Sequence, residues 1–201
     1  MSGNPQKESV SGNALTEAEI LKNKYEKLPA IERKLFLYGP LYLGINAGFV
    51  GLISNSLYRR ALNVTQAPIA SSLPMAVLPF LTTYALYNVA VSLPLLSDDL
   101  NCGPCAMVRG ALIGVVSGGL YPTLLALPVN LGLASRYNTA PMPQKGNMLR
   151  YWVDLSRPIF RKMRPVFLLQ AVFGTYLGSR HFEAFTKLTQ ITSSHGENLK
   201  G

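Results

Sequence analysis

A charged side chain at the centre of a bilayer costs roughly 2.5–3.5 kcal/mol, and this sequence keeps its charges out of four long stretches. Leu35–Tyr58 runs 24 residues without a charge and ends on the pair Arg59-Arg60; Ala61–Ser97 runs 37, Gly110–Ser135 runs 26 and Pro165–Ser179 runs 15. A helix rises about 1.5 Å per residue, so about 20 apolar residues cross the ~30 Å hydrocarbon core. Only 14% of the 201 residues are charged, against about 25% in a soluble domain. The pattern predicts an all-α integral membrane protein: a bundle of about four transmembrane helices with kinked, glycine-rich spans. It leaves no room for a soluble domain of ordinary size.

Taken in order, residues 1–14 are polar and predict disorder. Residues 15–34 predict an amphipathic helix on the membrane surface: Thr16 and Glu19 form a capping-box pair, and Leu15, Ile20, Leu21, Leu28, Ile31 and Leu35 trace a stripe that Lys24 and Pro29 interrupt. The membrane domain covers residues 35–179, with spans at about 35–58, 69–96, 110–135 and 165–179. Asn63–Pro68 reads as a polar turn. Pro74, Pro79 and Pro94 kink the second span, or fold it into a re-entrant hairpin. The fourth segment is short, so it either crosses by snorkelling of Arg164 and Arg180 with local thinning or re-enters. Residues 180–201 form a polar tail. The first 34 residues lack an apolar signal region and carry five glutamates, so any organelle address is expected to be internal. Basic residues divide almost evenly between the two sides, and the positive-inside rule does not choose an orientation.

Lipid tails are as apolar as leucine, so helices in a membrane associate through close packing and hydrogen bonds. Gly44-x-x-x-Gly48 and the triple ridge Gly110, Gly114 and Gly118 remove side chains from single helix faces. They predict contact faces, either for the chain's own helices or for a partner. Between residues 136 and 164 basic and aromatic residues interleave, the composition of a surface at headgroup level. Arg150, Trp152, Arg157, Arg161, Lys162 and Arg164 are the candidate lipid-headgroup contacts, with cardiolipin one candidate lipid. The net charge of +9 suits anionic headgroups better than nucleic acid, for which no motif is present.

Cys102-Gly103-Pro104-Cys105 is the thioredoxin tetrapeptide, and a helix N-terminus lowers a thiolate pKa. The strand and βαβ context of a thioredoxin site are missing. The motif is therefore structural, or it is a reversible dithiol in a membrane thiol-disulfide oxidoreductase. A zinc site would need two further ligands, and His181 and His195 lie far off in sequence; no metal and no cofactor are expected. No ionisable residue falls inside the four spans as drawn, which weakens a proton-coupled carrier. No nucleophile–base pair, phosphate loop or nucleotide fingerprint is visible.

NSLYRRALNVT (residues 55–65), LPMAVLPFLTT (73–83), GGLYP (118–122), RYNTAPMPQKGNMLRYW (136–152), FRKM (160–163) and YLGS (176–179) together resemble the transmembrane protein 126 family, its A branch more than its B branch. The resemblance implies a multi-pass protein of the mitochondrial inner membrane with both termini in the matrix. It implies a non-enzymatic assembly factor or chaperone for respiratory complex I. Its clients would be newly synthesised, mitochondrially encoded membrane-arm subunits and assembly intermediates of the distal arm, notably the fourth NADH dehydrogenase core subunit. An Oxa-type insertase would be a partner. The family offers no catalytic residues to carry over. Its A members carry a CxxC here, and the intervening Gly-Pro is a departure. A matrix-facing loop is held in a reducing space, so a stable disulfide is not expected.

Overall fold

The computed structural model describes residues 26, 29–97, 99–140 and 147–198, with side chains through Thr189. The expected disordered segment and most of the amphipathic helix lie outside the described residues, as do Pro141, Pro143 and Lys145. Among the described residues every element is helical: α1 (Ala30–Ala61), α2 (Pro68–Leu96), α3 (Gly103–Tyr137) and α4 (Met148–Asn198). The first three are long and apolar enough to cross a membrane.

Local sequence sets the ends. Pro29 precedes α1, with Glu32 in its first turn and Arg59 and Arg60 in its last, each charge complementing the helix dipole. Pro68 opens α2, where its missing N–H costs nothing. The helix continues through Pro74 and Pro79 as one element rather than a re-entrant hairpin. Cys102 caps α3, which starts about two turns earlier than the charge-free run suggests and so takes in Arg109.

α2 and α3 share one device. Each holds a single π turn, Asn88–Ser92 and Val116–Leu120, followed closely by a proline, Pro94 and Pro122. A proline cannot donate to the carbonyl four residues before it. The carbonyls so released belong to Ala90 and Gly118. A neighbouring helix caps each: Arg109 Nη1 donates to Ala90 O at 3.2 Å, and Gln170 Nε2 donates to Gly118 O at 3.1 Å. Both breaks in the backbone ladder are thereby closed by a neighbouring helix, the one at Gly118 within the bundle and the one at Ala90 on its surface, as an apolar surround demands.

α4 departs most from expectation. The short fourth segment, 165–179, lies inside one continuous helix that absorbs the second half of the basic stretch and the start of the polar tail. Its basic residues form an exposed face, while Ile159, Met163, Gln170, Leu177 and His181 are buried on the other. This amphipathic pattern held below membrane-span hydropathy what is nonetheless a full-length member of the bundle. Tyr58 donates to Ser156 Oγ at 3.0 Å at one end, and Lys187 pairs with Glu32 at 2.8 Å at the other. α4 thus runs antiparallel to α1 over nearly its whole length, and the start of α1 and the later part of α4 lie at the same end.

Candidate functional site

The glycine ridges sit at helix seams, and those seams are filled from within the chain. Gly110 lies against the Gly174 carbonyl and Gly114 against the Gln170 carbonyl, while Gly174 and Gly178 lie in return against the carbonyls of Gly110 and Ala106. Gly118 meets the Gln170 amide. In α1, a Cβ at Gly44 or Gly48 would stand 3.0 Å from the carbonyl of Phe80 or Ala76 on α2. Such approaches place glycine Cα–H groups on facing carbonyls, a weak but recurrent contact between membrane helices.

Polar side chains pin the same helices. Asn130 donates to Asn55 Oδ1 at 2.8 Å, and Asn55 donates to Ser71 and Ser72 at 3.3 and 3.1 Å, linking α3, α1 and α2. Ser54 and Thr123 are paired at 3.1 Å, and Thr83 and Ser117 at 3.0 Å. Each satisfies a hydroxyl that hydrocarbon could not.

Cys102 and Cys105 are joined in a disulfide, which corrects the expectation of free thiols. The physical reason is local. Cys102 is the N-cap, its Sγ accepts the Cys105 N–H at 3.3 Å, and the first turn brings the two Cα atoms to 5.2 Å, inside the bonding range. The fold also brings α4 to the motif: a Cβ on Gly103 would stand 3.0 Å from the Phe182 ring. His181, the residue before Phe182, packs against other partners. It is fully buried, stacked on Phe36 at 4.4 Å, edge-on to Tyr87 at 5.4 Å, with Nε2 3.1 Å from Leu35 O. Among the described residues no cluster of three or more His, Cys, Asp or Glu side chains gathers. The side chain of His195 lies outside the described residues.

Arg150, Arg157, Arg161, Lys162 and Arg164 are exposed along α4, and Trp152 is half-buried. Trp152, Phe160 and Leu149 line an open groove of about 420 Å³ with Leu124 and Leu127 of α3, and Arg157 stands at its edge. An aromatic and aliphatic groove rimmed by a guanidinium matches the make-up of a headgroup-level surface.

A second opening was not anticipated. Where α1 turns into α2, a pocket of about 480 Å³ is lined by Asn55, Ser56, Arg59, Arg60, Thr65 and Ser72 among others. Arg59 ties the turn together by donating to Gln66 O at 2.9 Å, Ser71 Oγ at 2.8 Å and Ala67 O at 3.5 Å. Ala67 has φ 48°, a left-handed conformation that costs a residue with a Cβ roughly 1–2 kcal/mol. The Arg59 bonds on both sides of that peptide hold it there. The sequence signal was the Arg pair followed by a polar turn, read as a boundary rather than a site.

A family profile described as transmembrane protein 126 matches residues 15–195. The chain belongs to the transmembrane protein 126 family. Transmembrane protein 126A of Mus musculus is 56% identical over 172 residues, covering 86% of this chain and 88% of its own length. The Homo sapiens protein of that name is 51% identical over the same shares. The Homo sapiens complex I assembly factor TMEM126B, mitochondrial, is 33% identical over 174 residues, covering 87% of this chain and 75% of its own length. No solved structure matches. The four-helix bundle described above is thus the architecture of a multi-pass transmembrane protein 126 family member.

Proposed function

We propose that this chain is a non-enzymatic assembly factor for respiratory complex I in the mitochondrial inner membrane. It attends newly synthesised, mitochondrially encoded membrane subunits of the distal arm, working with an Oxa-type insertase. The observation that carries this reading is the 33% identity, over most of this chain, with a human protein named as a mitochondrial complex I assembly factor. The helix faces add a mechanism. With the glycine seams closed internally, a client helix meets the outer surface. Of the three most apolar helices α2 offers the most: only 22% of its most apolar window is buried, against 44% in α1 and in α3. Ile69, Leu73, Val77 and Leu81 stand exposed along it. Both chain ends are assigned to the matrix, in keeping with the start of α1 and the later part of α4 lying at one end.

The test is a pulse-chase of mitochondrially translated proteins in cells lacking the chain, with complex I intermediates separated on native gels. The expected result is a stalled distal arm, restored by the wild type. Normal assembly without the chain would end the proposal. A second reading, a thiol-disulfide oxidoreductase, is favoured by the Cys102–Cys105 disulfide at a helix N-terminus. There the disulfide would oxidise a client dithiol, taking up two electrons and two protons. Rescue by the doubly substituted Cys102→Ser, Cys105→Ser chain is expected under the assembly-factor reading and contradicts the enzyme.

A further inference from the structure

We propose that the α1–α2 turn is a binding site for one anionic phospholipid, its phosphate held at Arg59 and Arg60 and one acyl tail laid along the α1–α2 seam. The site has two connected parts. The polar part is the pocket of about 480 Å³, lined by two guanidinium groups and no carboxylate. Arg59 engages three acceptors in the turn, which leaves two of a guanidinium's five N–H donors uncommitted. Arg60 is exposed, and its side chain makes no hydrogen bond or ion pair among the described residues. One arginine is therefore fixed in place and the other is free to close on an anion, and guanidinium groups match phosphate oxygens in pairs. The hydroxyls of Ser56, Thr65 and Ser72 supply further polar contacts around the phosphate.

The apolar part explains why a lipid, rather than a free phosphate compound, is the occupant. A groove of about 240 Å³ runs between α1 and α2, lined by Ile45, Gly48, Phe49, Leu52, Val77 and Phe80. It shares Leu52 with the polar pocket. The absent side chain at Gly48 keeps it open. Measured along α1, the distance from Asn55 to Ile45 is about 15 Å at the helical rise, which is half of the ~30 Å hydrocarbon core and so the depth of one lipid tail. Arg59 and Arg60 stand directly beyond the charge-free run, at headgroup level. Nothing at this site draws on α4, whose exposed basic face lies on another helix.

The experiment is native mass spectrometry of the purified full-length chain in detergent, with added phosphatidylglycerol, phosphatidylcholine, or sn-glycerol 3-phosphate as a tail-less competitor. The proposal expects one phosphatidylglycerol retained per chain and several-fold less phosphatidylcholine. It expects no displacement by millimolar glycerol 3-phosphate. Arg60→Gln, which breaks no described contact, lowers retention about five- to tenfold, in keeping with the effect of one basic residue near an anionic surface. Arg161→Gln on α4 leaves it unchanged. Equal retention of the two lipids overturns the phosphate reading. Full displacement by glycerol 3-phosphate overturns the lipid in favour of a soluble phosphate ligand. Sensitivity to Arg161→Gln with none to Arg60→Gln moves the site to α4 and overturns the proposal. Circular dichroism of both variants guards against misfolding. The site stands or falls independently of complex I assembly.

Discussion

The two glycine seams of this bundle solve one problem in different ways. Between α3 and α4, glycines face glycines: Gly110 and Gly174 each meet the other's carbonyl, and Gly178 meets that of Ala106. Between α1 and α2, glycine stands on one side only, and Gly44, Gly48 and Gly51 meet the carbonyls of Phe80, Ala76 and Met75. The reciprocal seam brings two backbones together at Gly110, Gly114, Gly174 and Gly178. The one-sided seam leaves large side chains at its margin, and those frame an opening that leads to the Arg59–Arg60 pocket. Seams of small residues therefore do more than hold helices together. The symmetric one locks the bundle, and the asymmetric one leaves a surface that other molecules can use.

The comparison is broken most severely at the reciprocal seam. Gly174→Leu drives a side chain into the Gly110 carbonyl. Neither backbone can yield as a flexible side chain would, so the cost lies at or above the top of the usual overpacking range, about 3 kcal/mol. A fall in detergent melting temperature of roughly 6–12 °C is expected for a chain of this size. The cap on the π turn of α3 comes next. Gln170→Leu leaves the Gly118 carbonyl without the 3.1 Å bond, a loss of about 1 kcal/mol at the values measured for membrane helices. Protection of amides near Gly118 in hydrogen exchange should fall with it. Gly48→Ala sharpens the contrast, because its new methyl stands 3.0 Å from the Ala76 carbonyl. A small shift of α2 accommodates that, and the loss should stay at or below that of Gln170→Leu in the same melting assay.

The smallest effect is at the ends. The Lys187 ammonium bonded to Glu32 holds that carboxyl below its ordinary range. A depressed carboxylate pKa adds stability that is complete above the unfolded value and lost as pH falls through the folded one. Wild type should therefore lose a small, salt-sensitive increment over Glu32→Gln below about pH 4.5, since an exposed ion pair contributes little. An unchanged difference between the two chains across that window would remove the pair from the account.

Much of this architecture is legible in the sequence because the bilayer penalises charge so heavily. The charge-free runs locate α1, α2 and α3, and the four-residue glycine spacing locates the seams. Gly174-x-x-x-Gly178 carries the same spacing and identifies the other half of the α3–α4 seam, yet a segment judged by its short apolar run does not invite that reading. α4 is obscured because its basic face lowers its hydropathy while its opposite face packs on the bundle. The π turns are visible only as prolines, and neither Arg109 nor Gln170 announces which carbonyl it caps. His181 and Tyr87 meet although nearly half the chain separates them, a contact that no local pattern encodes. The disulfide follows from Cys102 capping α3, which depends on where that helix starts.

The claim that the glycine seams close the chain on itself is tested most directly by comparing Gly114→Leu with Gly132→Leu. Gly114 faces the Gln170 carbonyl, whereas a side chain at Gly132 meets open space. Thermal unfolding of the two purified variants in one detergent is the measurement. The account predicts that Gly114→Leu melts several degrees below wild type, with no partner protein present, and that Gly132→Leu melts with wild type. Equal melting temperatures for all three chains would contradict it, and would return the Gly110–Gly118 ridge to the role of a face held open for a partner.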